Sequence, residues 1–208
     1  MKKGEDVVLV DVMNLAFRSQ YALQQLSFEG VPTGLFFGFL QSVKRLKTFG
    51  ETLVFCWDNG TPAQTRIRPW RKKLYQTYKA SRQHSDTSTT VFEGLPDLYR
   101  MLRSLGYCNV GIPGLEADDL IALITNHRNY RKLDFLIHST DSDLFQLLNP
   151  KVDILRDSRG SWDRVTQQQA ELLLGFPIEQ YSHYLTFGAG HNDVLELGAA
   201  EIRMAMEK

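Results

Sequence analysis

Short apolar runs alternate with stretches of helical periodicity along most of this chain. Residues 7–10, 52–57 and 135–139 form apolar runs of the length and composition typical of buried strands. Residues 107–110 and 152–155 are shorter runs that we also predict to be strands. Uninterrupted apolar strands, rather than strictly alternating ones, are typical of a parallel sheet covered on both faces.

Helical patterns occupy the intervals between these runs. They extend from residue 12 to about residue 24, over residues 33–47, from about 95 to 105 and from 116 to 126. The last begins with acidic residues, which the helix dipole favours in the first turn. The alternation predicts an α/β fold with a mostly parallel central sheet flanked by helices. We expect a core over residues 1–164, followed by a short helical region over residues 165–208.

The composition is that of a globular protein, with 43% hydrophobic and 23% charged residues. The first apolar run is too short to cross a membrane and lacks the features of a secretory leader. We therefore expect a cytoplasmic protein without a membrane partner. The two cysteines, Cys56 and Cys108, lack metal-ligand spacing and are predicted to be reduced thiols in the core.

An even charge balance, with 24 basic and 24 acidic residues, hides an uneven distribution. Residues 66–82, here called the basic segment, carry no acid and seven basic residues: Arg66, Arg68, Arg71, Lys72, Lys73, Lys79 and Arg82. Helical spacing would place four residues near one face: Arg68, Lys72, Tyr75 and Lys79. Such a segment attracts phosphates without reading sequence, and Trp70, Tyr75 and Tyr78 could stack on unpaired bases. The alternative is a solvated helix with ordinary surface charge.

Acidic residues follow three of the predicted strands. Asp11, Asp58 and Asp141 each come just after an apolar run, so a parallel sheet would bring them to one edge. The other acids of this group are Glu116, Asp118, Asp119 and Asp143. Converging carboxylates repel unless a cation lies among them, and oxygen ligands without His or Cys suit Mg²⁺ or Mn²⁺ rather than zinc. The alternative is that each acid is an ordinary helix cap or turn residue.

Six motifs occur along the chain in a fixed order. They are VDVMNL at residues 10–15, GVPTG at 30–34, FCWD at 55–58, YKASR at 78–82, LEADD at 115–119 and STDSDLFQL at 139–147. The last two together are specific, whereas either alone would be weak. In these motifs the chain resembles the bacterial and bacteriophage 5′→3′ exonuclease and flap endonuclease family, which includes the 5′-nuclease domain of bacterial DNA polymerase I. The resemblance covers about residues 6–193.

The resemblance implies a PIN-like nuclease fold with two divalent metal sites, for Mg²⁺ or Mn²⁺. The implied ligands are Asp11, Asp58, Glu116 and Asp118 at the first site, and Asp119, Asp141 and Asp143 at or around the second. The segment from about residue 62 to 92 would form a helical arch, from which Lys79 and Arg82 face the scissile phosphate. Arg18 and Tyr21 would contact DNA near the active site, together with the rest of the basic segment.

The chain departs from the family pattern near residue 190. The family has a motif there that supplies two further carboxylates. Asp193 fits the second, while Gly190 stands where the first would be, so we expect a weaker second metal site. Residues 195–208 are also shorter than the family's helix-hairpin region, which grips duplex DNA and binds a monovalent cation. We expect a reduced helix-hairpin element with a doubtful K⁺ site.

The predicted activity is metal-dependent hydrolysis of DNA phosphodiesters near a free 5′ end, flap or nick, which leaves 5′-phosphate products. Two alternatives stay open. A PIN-type ribonuclease would share the fold and the acids, although the long basic segment favours DNA. A structure-specific DNA-binding protein with weakened catalysis would account for Gly190 and the short C-terminal region. The retained motif acids, seven with Asp193 as an eighth, favour an enzyme.

Overall fold

A computed structural model describes residues 5–76, 78, 85–158 and 161–187. The strands are β1 (Glu5–Asp11), β2 (Ser27–Phe28), β3 (Val31–Pro32), β4 (Gly50–Trp57), β5 (Cys108–Gly111), β6 (Phe135–His138), β7 (Val152–Ser158) and β8 (Ser161–Val165). The α-helices are α1 (Val12–Ala22), α2 (Gly34–Leu46), α3 (Trp70–Leu74), α4 (Asp86–Ser104), α5 (Ala117–Asn126), α6 (Gln167–Leu174) and α7 (Tyr181–Phe187). Short 3₁₀ helices lie at Arg128–Tyr130, Ser142–Leu147 and Ile178–Gln180.

Six strands form the central sheet in the order β5-β4-β1-β6-β7-β8. Neighbouring strands are parallel except for β7 and β8, which form an antiparallel hairpin at one edge. The predicted fold, a mostly parallel sheet flanked by helices, is therefore confirmed. The sequence pattern does not predict β8, because the residues Ser-Trp-Asp-Arg-Val contain no apolar run.

Helices cover both faces of the sheet, and each face has its own core. On one face, α2 and α4 bury Phe39 and Leu98. On the other, α5 and α7 bury Ile121 and Tyr181. Since successive strand residues point to opposite faces, β1 supplies side chains to both cores, which explains its uninterrupted apolar run. Burial of apolar surface on both sides is the main stabilisation of this three-layer arrangement.

Two details differ from the sequence prediction. Helix α4 begins well before residue 95, because Ser85 and Ser88 cap it reciprocally. The backbone N–H of Ser88 donates to the Ser85 hydroxyl at 3.2 Å, and that of Ser85 donates to the Ser88 hydroxyl at 2.9 Å. The prediction that both cysteines lie in the core is wrong for Cys108, which is exposed on the edge strand β5, whereas Cys56 is buried.

Within the described residues, no helix combines the length and the hydropathy that a membrane span requires.

Candidate active site

Three neighbouring parallel strands end at the same edge of the sheet, and an aspartate lies at or after each end. Asp11 is the last residue of β1, Asp58 directly follows β4, and Asp141 follows β6 after a short turn. Because β1 lies between β4 and β6, the structure brings these three residues to one edge. This agrees with the placement expected from the strand pattern, whereas the roles of the residues stay predictions.

Asp11 is held by two hydrogen bonds. Its Oδ1 accepts from the Asn14 backbone N–H at 3.1 Å, which caps α1, and its Oδ2 accepts from the Ser139 hydroxyl at 3.0 Å. Burial, followed by the charge of Asp58, raises the pKa of Asp11 from its ordinary 3.8 to about 7. Asp141 adds to the rise, against the effect of the two hydrogen bonds. A carboxylate in this position would be stabilised in its charged form by a nearby cation.

Asp58 joins the end of β4 to the start of α5. Its Oδ1 accepts from the Ala117 N–H at 2.7 Å, one of the donors that the first turn of a helix leaves free. The next residue, Asn59, has a left-handed backbone with φ of 53°, and its side-chain oxygen accepts from the Gly114 N–H at 2.6 Å. These contacts fix the acidic first turn of α5 beside the strand ends.

The acids at the start of α5 converge on one cation, the guanidinium of Arg71. Nη1 donates to Glu116 Oε2 and Asp119 Oδ2, both at 2.9 Å. Nη2 donates to Asp118 Oδ2 and Asp119 Oδ1, both at 3.0 Å. Burial opposes the charge of Arg71, but the three carboxylates outweigh it and raise the pKa of Arg71. For Asp118, burial raises the pKa against the lowering effect of Arg71.

Two aromatic residues of the basic segment complete this contact. Trp70 Nε1 donates to Asp119 Oδ2 at 3.0 Å, and the Tyr78 hydroxyl donates to Glu116 Oε2 at 3.0 Å. Arg71 Cζ lies 5.0 Å from the centre of the Trp70 ring, within the range of a cation–π interaction. The basic segment is therefore tied to the α5 carboxylates by three of its residues. The pattern of the basic segment predicts DNA contacts for Arg71 and Tyr78 but not this pairing with acidic residues.

The donor type and the charge of these residues fit a hard divalent cation. Across the ranges that the structure describes, no three His, Cys, Asp or Glu side chains converge on a single point that could hold a metal ion. The acids form two adjacent groups instead, one around Asp11 at the strand ends and one around Arg71 at α5. All the donors are carboxylate oxygens, the ligands that Mg²⁺ and Mn²⁺ prefer, and a cationic side chain already lies in the second group.

The turn that carries Asp141 and Asp143 is held by residues to which the motifs assigned no role. Asn14 Nδ2 donates to Thr140 Oγ1 at 2.9 Å, and the Thr140 N–H donates to Asn14 Oδ1 at 3.2 Å. Arg156 of β7 donates from Nη2 to the Thr140 carbonyl at 3.0 Å. We call Asn14, Thr140 and Arg156 the Thr140 clamp. Asn14 and Thr140 belong to motifs and could have been found, whereas no sequence signal singles out Arg156.

The other residues predicted to bind DNA lie at several places on the surface. Arg18 pairs with Asp157 at 2.9 Å, and Tyr21 is exposed. The exposed basic and tyrosine residues of the basic segment are Arg66, Arg68, Lys72, Lys73 and Tyr75. Arg68, Lys72 and Tyr75 do not share the single helical face that the spacing predicted for them and Lys79. Arg68 precedes α3, which begins only at Trp70, and Tyr75 is extended, with φ of −132°. The predicted residues outside the described ranges are Lys79, Arg82, Gly190 and Asp193.

Comparison with known proteins gives matches in sequence. The profile of the 5′-3′ exonuclease N-terminal, resolvase-like domain matches residues 6–174. A thermostable DNA polymerase I of Thermus filiformis is 29% identical over 188 residues, which are 90% of this chain and 21% of that protein. A 5′-3′ exonuclease of Bacillus subtilis is 34% identical over 164 residues, which cover 74% of this chain and 51% of that protein. The chain thus spans about a fifth of the polymerase and about half of the exonuclease.

Solved structures give a match in fold. The flap endonuclease D15 of bacteriophage T5, crystallised with DNA and metal ions, matches with a TM-score of 0.71. It is 18% identical to this chain, and the match covers 97% of this chain and 74% of that one. At this identity the likeness is one of fold, and it confirms the predicted PIN-like arrangement of sheet and helices.

Proposed function

The chain belongs to the family of 5′-3′ exonuclease N-terminal, resolvase-like domains, and from this membership we propose that it is a divalent-metal-dependent nuclease that cuts DNA near a free 5′ end, a flap or a nick. The observation that carries the proposal is the gathering of carboxylates from three adjacent strand ends and from the first turn of α5. The family gives the reaction class, and the geometry gives the residues that would carry it.

Both groups of carboxylates are assigned to metal binding. The proposed ligands are Asp11, Asp58, Glu116 and Asp118 for one ion, and Asp119, Asp141 and Asp143, with Asp193, for a second. Mg²⁺ or Mn²⁺ supplies, when bound, activation of water and neutralisation of charge on the phosphate. The chain's own contribution is to orient these oxygens. Ser139 and the Asn14 N–H hold Asp11, and the Ala117 N–H holds Asp58, so that both present fixed carboxylates at the sheet edge.

The basic segment would attract the DNA backbone. Its exposed charges contact phosphates without reading sequence, and Tyr21 and Tyr75, which are about half exposed, offer stacking surfaces to unpaired bases. Lys79 and Arg82, assigned from the family motif alone, would stabilise the charge that develops on the scissile phosphate. Cleavage leaves a 5′-phosphate and a 3′-hydroxyl. The fold shared with the T5 flap endonuclease, which was crystallised with DNA and metal ions, supports a DNA substrate and a metal requirement.

The second ion is the weaker part of this assignment, because Gly190 replaces one of the family's carboxylates. If the second ion binds less tightly as a result, cleavage needs a higher Mg²⁺ concentration than in a relative with both acids. Residues 165–187 pack against the sheet through Ala170, Ile178 and Tyr181.

A panel of end-labelled substrates tests the proposed substrate class. Matched oligonucleotides carry a DNA flap, an RNA flap, a nick or a single strand, and one DNA flap is blocked at its 5′ end by biotin and streptavidin. We expect cleavage of the DNA flap in Mg²⁺ or Mn²⁺, none in EDTA, and slower cleavage of the blocked flap. Faster cleavage of the RNA flap would favour the ribonuclease alternative. Tight binding without cleavage in either metal would favour the DNA-binding alternative.

A further inference from the structure

Arg71 occupies an unusual electrostatic position for a side chain on a short surface helix. A surface arginine commonly pairs with one carboxylate, whereas Arg71 contacts Glu116, Asp118 and Asp119 at once and has a side chain only 23% exposed. Its single positive charge offsets one of three negative charges. A divalent cation in its place would offset two of them. The guanidinium therefore binds the α5 oxygens that the proposed function assigns to metal ions.

The guanidinium and a divalent cation compete for these oxygens. Carboxylate oxygens bind Mg²⁺ at about 2.0–2.1 Å in a strict geometry. In this structure the same oxygens accept hydrogen bonds from Arg71 at 2.9–3.0 Å, and Asp119 uses both of its oxygens for them. Two cations at these distances would also repel each other. Arg71 therefore has to give up hydrogen bonds to the α5 carboxylates when these act as metal ligands.

We propose that Arg71 is a built-in counter-cation, which holds the α5 carboxylates together in the metal-free protein and is exchanged for the divalent ion when the ion binds. This inference rests on the proposed function, since it assumes that the same carboxylates hold a metal. Once it is replaced by the ion, the guanidinium lies at the edge of the site and can contact a DNA phosphate. Arg71 is thus a positioning residue that sets the metal affinity of the site.

Replacement of Arg71 by the divalent ion also weakens the attachment of α3 to the rest of the protein. This helix has five residues, none of them buried, and a helix of that length is not stable by itself. Its described links to α5 are the contacts of Arg71 and Trp70, supported by a hydrogen bond of 3.1 Å from the Trp70 N–H to the Gly114 carbonyl. Loss of the Arg71 contacts removes the strongest of these links. Metal binding is therefore expected to release the described part of the basic segment while it fixes α5.

Calorimetric titration of the DNA-free protein with MnCl₂ at pH 8 tests the exchange. The variants are Arg71→Ala and Arg71→Gln, and the control is Lys73→Gln, which removes the same charge from the same helix but not from a contact with the α5 acids. Because the wild type must give up the Arg71 contacts, we expect both Arg71 variants to bind Mn²⁺ more tightly, by about tenfold or more. Lys73→Gln should bind as the wild type does. Arg71→Lys, which retains the charge, should lie between.

Hydrogen exchange gives a second readout that does not depend on heat or cleavage. The amides of Lys73 and Tyr75, which donate to Pro69 and Arg71 carbonyls at 3.2 and 2.8 Å, report on α3. In the wild type we expect Mn²⁺ to speed their exchange and to slow exchange at the start of α5. Arg71→Ala should show the faster exchange without metal, and unchanged protection of β1 and β4 would confirm that the variant is folded.

The outcomes separate this inference from the function on which it rests. If the wild type binds Mn²⁺ and both Arg71 variants bind it equally or more weakly, the proposed replacement of Arg71 by the ion is wrong, whereas the proposed metal site stands. That result would mean that Arg71 only arranges the carboxylates. No Mn²⁺ binding by the wild type at millimolar concentration would overturn both proposals. If Arg71 is a counter-cation, both Arg71 variants bind Mn²⁺ more tightly than the wild type, and amide hydrogen exchange in α3 is faster.

Discussion

At the scale of single residues, the site carries negative charge that the folded chain alone does not neutralise. Asp11 lies beside Asp58 and Asp141, and burial together with these charges raises its pKa to about 7. The folded protein therefore binds a proton at Asp11 between pH 3.8 and about 7 that the unfolded chain does not bind. Above pH 7, ionised Asp11 lowers the free energy of unfolding. Below pH 3.8, where the carboxyl is protonated in both the folded and the unfolded state, this destabilisation is absent.

The substitution Asp11→Asn tests directly whether ionised Asp11 destabilises the folded protein. In EDTA at pH 8 we expect the variant to be more stable than the wild type by about 2 kcal/mol, because the amide carries no buried charge. The difference should shrink towards pH 5, where Asp11 of the folded wild type is protonated. The measurement is urea denaturation at both pH values, with Asp163→Asn, an exposed residue of β8, as the control. A variant that is less stable at pH 8, or a difference independent of pH, would contradict the account.

The common edge of three of the acids could be predicted from the sequence, but the hydrogen-bond partners of the acids could not. Asp11, Asp58 and Asp141 could be assigned to one edge because they follow strands, and strand ends are visible as the ends of apolar runs. The contact of Arg71 with the α5 acids could not be predicted. Its partners are 45 to 48 residues away along the chain, and a basic residue in a basic segment gives no signal of which acid it meets.

At the scale of elements, the turn after β6 depends on its neighbours for its shape. Asp141 caps the 3₁₀ helix on which Asp143 lies, and the hydrogen bonds of such a helix are less well formed than those of an α-helix. Its conformation is fixed from outside by the Thr140 clamp, through Asn14 on α1 and Arg156 on β7. Such supporting hydrogen bonds commonly change metal affinity at carboxylate sites.

Arg156→Met removes the hydrogen bond to Thr140 and retains an apolar side chain over Phe145, which Arg156 Cζ approaches at 5.1 Å. We expect the Mg²⁺ concentration for half-maximal flap cleavage to rise roughly 3- to 10-fold, because the carboxylates of the turn become less ordered. Arg156→Lys should recover part of the loss. The control is Arg164→Met on β8, which removes an equal charge that pairs with Asp153. An unchanged Mg²⁺ requirement relative to the control would show that the clamp is only structural.

At the scale of the whole molecule, the fold explains why this chain can bring distant acids together. The sheet order places β1 between β4 and β6, so that residues separated by more than 120 positions, such as Asp11 and Ser139, come into hydrogen-bond contact. The parallel core could be predicted because buried strands read as apolar runs. The hairpin of β7 and β8 and the early start of α4 could not, since polar side chains and a serine cap determine them.

The central claim is that the carboxylates of the sheet edge and of α5 act together in metal-dependent cleavage of DNA. The most direct measurement is single-turnover cleavage of a 5′-flap DNA in Mg²⁺ by Asp118→Asn and Asp141→Asn, with affinity for the same DNA measured in Ca²⁺. The matched control is Asp134→Asn, whose carboxylate lies before β6, at the opposite end of that strand, and pairs with Lys151.

The account predicts that both site variants cleave slower than the wild type by on the order of 10²-fold or more. Their affinity for the flap should be equal or higher, because each substitution removes a negative charge. Asp134→Asn should cleave at the wild-type rate, and EDTA should stop all cleavage. Cleavage by Asp118→Asn and Asp141→Asn within a few-fold of the control, or undiminished cleavage in EDTA, would contradict the claim that these carboxylates form the active site.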